Sequence, residues 1–102
     1  MTIRIENYRE QPPTGSIVAI FDIYIPETTE IKRNLKLVRS KNGSHFISFP
    51  SFSVEDEHTG EKRWYSFYEY GEFRQKEFTK KILEELSSFV KGGIVFNSNR
   101  SR

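Results

Sequence analysis

The stretch SIVAIFDIYI, residues 16–25, sets Ile17, Ala19, Phe21, Ile23 and Ile25 on one face and Val18, Ile20, Asp22 and Tyr24 on the other. Alternation with a period of two is the geometry of a strand, and a strand that is apolar on both faces belongs in the middle of a sheet. Toward the N-terminus, Ile3 and Ile5 alternate with Arg4 and Glu6, which predicts a half-buried neighbour strand ended by the turn-forming EQPPTG of residues 10–15. Toward the C-terminus, PETTE of residues 26–30 makes the next turn. Leu35 and Leu37 then alternate with Lys32, Asn34 and Lys36, a third strand with a basic, polar face.

The Asn42-Gly43 pair in SKNGS marks a tight hairpin, because both residues tolerate positive φ. It leads into SHFISFPSF, residues 44–52, where His45, Ile47 and Phe49 share one face and Phe46 and Ser48 the other. Pro50 lacks an N–H, so pairing is expected to end, bulge or run along an edge there. An acidic, turn-rich loop, VEDEHTGEK, precedes RWYSFYEY, whose alternation predicts a returning strand and a second hairpin, 44–52 with about 62–69.

Beyond Gly71 the period lengthens. Phe78, Ile82, Leu86 and Phe89, widened by Leu83 and Val90, form the stripe of one amphipathic helix, expected over about residues 73–91 and ended by Gly92-Gly93. Phe21, Phe46, Phe49, Phe78 and Phe89 are assigned to the core or a dimer seam, with Phe49 beneath the helix and Phe46 on the opposite face. The fold class is therefore α+β: a meandering antiparallel sheet of about four to five strands with a C-terminal amphipathic helix. Its 102 residues suit a single domain, 1–91, followed by a tail, 92–102, which is either a short added strand or a mobile arm.

Sixteen basic against fourteen acidic residues leave a net charge of +2, so the placement of charge rather than its total has to identify a partner. The absence of cysteine excludes disulfides, thiolate nucleophiles and cysteine-bound zinc. No apolar run approaches a membrane span or a leader's core, which predicts a soluble, cytoplasmic protein without a membrane partner. His45, His58, Glu55, Asp56, Glu57 and Glu61 match no catalytic or metal-ligand spacing. No enzymatic activity, cofactor, metal or small-molecule substrate is expected.

The cations carry more information. Lys32, Arg33, Lys36, Arg39 and Lys41 fall on or beside the third strand, and Lys62 and Arg63 flank the aromatic hairpin. Alternation predicts that Lys32 and Lys36 project from one sheet face to meet phosphates. Trp64, Tyr65 or Tyr68 would stack on bases, a contact of about 1–3 kcal/mol each. Lys80 and Lys81 on the helix are further phosphate candidates, and Arg100 and Arg102 would add an electrostatic contact from the tail.

NLKLVRSKNGSHFISFPS, residues 34–51, resembles the D-I-R-V-I-x-G-x-x-G-L-F-I-A-M-P-S segment of the SpoVG family (stage V sporulation protein G). The resemblance continues through the turn Thr59-Gly60-Glu61 into KRWYSF and the helix QKEFTKKILEEL, and spans about residues 5–86. Phe46-x-x-x-Pro50-Ser51 is its sharpest element. The loop after Ser51 is longer than the family's, and SFYEYGE stands where the family has His-Pro-Ile-Asn. The resemblance implies a bacterial or phage regulator that binds DNA or RNA, dimerises through its sheets and uses its helix in nucleic-acid contact. The expectation is thus a homodimeric nucleic-acid-binding protein using Lys32, Lys36, Arg39, Lys62, Arg63, Lys80 and Lys81 for phosphates and Trp64 and Tyr65 for bases. The alternative is a protein-interaction adaptor using the sheet edge and the aromatic hairpin.

Overall fold

The computed structural model describes residues 1–66 and 72–96, with the side chains of 52, 64–66 and 72–74 excepted. Six strands precede one helix: β1 (Arg4–Glu10), β2 (Ile17–Ile25), β3 (Glu30–Arg39), β4 (His45–Ser48), β5 (Ser51–Glu55), β6 (Lys62–Ser66) and α1 (Glu72–Leu86). The first four form one antiparallel sheet in chain order, and β5 and β6 form a separate two-stranded ribbon. The class is α+β, with β2 central as its two apolar faces require.

One face of the four-stranded sheet carries the core. Phe21, Ile23, Leu35 and Leu37 are fully buried there, and Phe78, Ile82, Leu83 and Leu86 of α1 close over them. Phe49 stacks on Phe78, with ring centroids 6.1 Å apart, so this ring does lie beneath the helix. Phe46 emerges on the other face and is 45% exposed.

Three bulges break the simple alternation. In β1, Asn7 and Tyr8 together oppose Phe21; in β3, Arg33 and Asn34 together oppose Asp22. Asn7 and Asn34 adopt left-handed φ values of 51° and 61°, a conformation that asparagine tolerates better than other side chains. The β1 bulge returns Tyr8 to the core side, where it meets Phe89 at 5.1 Å. The third bulge, at Val18, packs Val18 rather than Ile17 against the core.

Three expectations are corrected. The β3 bulge places Lys32 opposite Ile23, on the core face with Leu35 and Leu37, so Lys32 is buried and does not share a face with Lys36. Pro50 does end the ladder, but it divides 44–52: His45–Ser48 pairs with β3, and only Ser51–Glu55 pairs with Lys62–Ser66. The helix stops at Leu86 because Ser87 Oγ donates to the Glu84 carbonyl and the chain tightens into turns. Phe89, beyond the helix, is 45% exposed, which leaves the dimer seam as the remaining place of the two expected for it. Gly92 and Gly93, at φ 86° and 79°, turn the chain back to β4. There His45 N–H donates to the Val95 carbonyl at 2.7 Å, a backbone contact at the added-strand position although Val95 lies in no strand.

Candidate nucleic-acid interface

The face of the sheet turned away from α1 is built in rows, because antiparallel partners point to the same side. One row crosses all four strands as Arg9, Ile20, Lys36 and Ser48. Another runs Arg4, Tyr24, Ile31, and between the two lies Asp22, flanked by Glu6 and by the β3 bulge with Arg33. At the far end Val38 stands beside Phe46. The face thus presents four cations against two carboxylates, around a half-buried tyrosine.

Asp22 sets the electrostatics of this surface. It is only 3% exposed, yet it lies on the open face, because its neighbours cover it. Asn7 Nδ2 donates to Oδ2 at 2.8 Å and the Asn34 backbone N–H to Oδ1 at 2.9 Å, so one carboxylate closes both bulges. Arg33 reaches Oδ2 at 3.1 Å and Arg9 lies 3.6 Å from Oδ1. Burial by itself raises the pKa of this carboxyl; the bonds from Asn7 and Asn34 and the charges of Arg9 and Arg33 together outweigh it, and the net shift is downward. The carboxylate is neutralised locally, while Arg33 and Arg9 keep side chains 61% and 49% exposed. Arg4 lies over the Tyr24 ring, its guanidinium carbon 5.4 Å from the centroid.

No protein-family model, curated protein or solved structure matches the chain.

The residues singled out in the sequence do not gather in one place. Lys36 lies on the open face and Lys32 on the core face, where its Nζ pairs with Glu30 at 3.2 Å. Arg39 stands exposed at the end of β3, opposite His45. Lys62 and Arg63 are exposed on the ribbon, opposite Glu55 and Val54. Trp64 and Tyr65 oppose Ser53 and Phe52 through their backbones, and their side chains lie outside the described set, as do Tyr68, Arg100 and Arg102 altogether. Lys80 and Lys81 are exposed on α1, which covers the core face.

Arg4 and Arg9 were not among the sequence candidates. Arg4 carries a signal in the sequence, since it alternates with Ile3 and Ile5. Arg9 reaches the open face only through the bulge at Asn7, which the period-two pattern does not reveal. Among the described residues no group of three His, Asp or Glu side chains could hold a metal ion, and no helix is long and apolar enough to cross a membrane.

Proposed function

We propose that this protein is a non-enzymatic, SpoVG-like regulator that binds nucleic acid as a homodimer in the cytoplasm. The observation that carries the reading is the open sheet face, where Arg4 lies over Tyr24, Arg33, Arg9 and Lys36 follow along the same face, and no described element covers them. The backbones of β1 and β3 run about 10 Å apart, so Arg9 and Lys36 can reach different phosphates of one flexible single strand laid across the face. Lys62 and Arg63 are further exposed cations, on the ribbon, and the likeness of residues 34–51 to the SpoVG family supports the same reading.

The test is a binding series with single- and double-stranded DNA and RNA at two salt concentrations. Affinity is expected to fall steeply with salt, and the double variant Arg4→Glu, Lys36→Glu to bind about tenfold more weakly, with unchanged thermal unfolding. Equal binding by the variant, or no binding to any oligonucleotide at low salt, overturns the reading. Retention of a lysate protein that survives nuclease treatment and the charge reversals would point to the adaptor instead. Lys32 is unsuitable for such a variant, since a carboxylate there would enter the core face.

A further inference from the structure

Residues 94–96 lie beside β4, the last strand of its sheet, and are tied to it through Val95. His45 N–H donates to the Val95 carbonyl at 2.7 Å, and the Val95 N–H donates back to Nδ1 of the same histidine at 2.9 Å. One residue thus takes both backbone polar groups of the other. The turn that brings Val95 there uses Gly92 and Gly93, at φ 86° and 79°, where a side chain would meet no neighbour. Glycine therefore serves the backbone conformation at these two positions, not packing. Ile94 packs against the core and anchors the start of the segment, while Val95 and Phe96 stay exposed.

His45 is 6% exposed. Because Nδ1 accepts, the ring proton sits on Nε2, which has no hydrogen-bond partner among the described residues. A second proton would make both nitrogens donors, with Nδ1–H directed at the Val95 N–H and no acceptor at Nε2. The charged groups around the ring are Arg39, opposite it on β3, and Lys41, Lys76, Glu77 and Lys80, which line one groove with it between the β3–β4 turn and α1. Glu77 bonds to neither ring nitrogen. Burial, and then the charge of Arg39, hold the ring's pKa below its ordinary value; the backbone of Val95 opposes both without reversing the shift. The fastened segment thus requires a neutral ring.

We propose that His45 is the catch of a pH-operated strap: neutral, it holds Val95 and Phe96 at the edge of β4, and protonation of Nδ1 releases them while the sheet and α1 stay folded. Release leaves the backbone N–H of His45 open to another strand at the sheet edge. The sign follows from the two states of the ring. Released, it titrates near its ordinary value of about 6.5; fastened, it titrates lower. The strap is therefore firmest above about pH 6.5, and its opening grows by up to about tenfold per pH unit below that.

The experiment is an NMR titration of the full chain from about pH 8 to pH 5, following the ring nitrogens of His45 and the hydrogen-exchange protection of the Val95 amide, corrected for the intrinsic effect of pH. The ring is expected as the Nε2–H form at pH 8, and Val95 protection to fall about tenfold between pH 6.5 and 5 while the amides of β2 stay protected. Arg39→Gln should move that fall to higher pH. His45→Asn, whose Oδ1 can accept the Val95 N–H without titrating, should keep the protection flat; where that variant does not fold, the parent and Arg39→Gln decide. Val95 protection that stays constant down to pH 5, its loss together with the β2 amides, or an Nδ1–H ring at pH 8 overturns the proposal.

Discussion

Asp22 shows how much one side chain settles. Its oxygens join β1 and β3 to β2, and they do so as a carboxylate, because two guanidinium groups and two donors hold its pKa below the ordinary range. Asp22→Ala is expected to cost about 3 kcal/mol, since two bulge donors and two arginines lose their acceptor; the urea midpoint measures it. The pH dependence has a defined sign. A lowered folded-state pKa contributes stability that is fully present above the unfolded value, about 3.9, and is lost as pH falls through the folded value. Unfolding followed from pH 6 to pH 2 should show this loss in the parent and a smaller one in Asp22→Asn. The sequence placed Asp22 on the second face of β2, but not its partners. These come from strands 11 to 15 residues away and arrive through bulges.

At the scale of elements, the strands were legible from alternation and the helix from its apolar stripe, because burial on one side imposes those periods. What was not legible was every place where the period changes phase. Lys32 reads as a partner of Lys36 until Asn34 adopts its left-handed φ of 61°, after which the two point to opposite faces. Asn34→Gly is therefore expected to leave stability within about 0.5 kcal/mol of the parent. Asn34→Val, a β-branched residue in that conformation, should cost about 1–2 kcal/mol in the same denaturant titration. Pro50 likewise marked a break in pairing without saying that the chain beyond it would leave the sheet for a ribbon. Ser87 ended α1 by a local bond that no apolar periodicity reports.

At the scale of the whole molecule, the sheet divides the chain's chemistry. Its covered face holds the core, and its open face, with the ribbon, holds the cations proposed to meet nucleic acid. The candidate site was half visible in the sequence: Lys36 and the basic third strand were found, Arg4 and Arg9 were not, and Lys80 emerged as part of a separate groove. Homodimerisation is proposed at the same scale. Large apolar side chains remain open to solvent, among them Val95 and Phe96, 51% and 40% exposed, which follow the turn to edge strand β4. Light scattering on the purified protein is expected to give twice the 12.1 kDa chain mass. Charge substitution at Val95 should shift that mass toward the single chain; a mass of one chain for the parent at micromolar concentration argues against the dimer.

Arg9 and Arg33 serve two masters. Each balances the buried carboxylate of Asp22, and each keeps about half or more of its side chain open on the face proposed for phosphates. An incoming anion competes with Asp22 for the same guanidinium groups, so ligand affinity and sheet stability are thermodynamically linked at this point. Variants selected for tighter binding through Asp22 would be selected, at the same step, for a weaker fold.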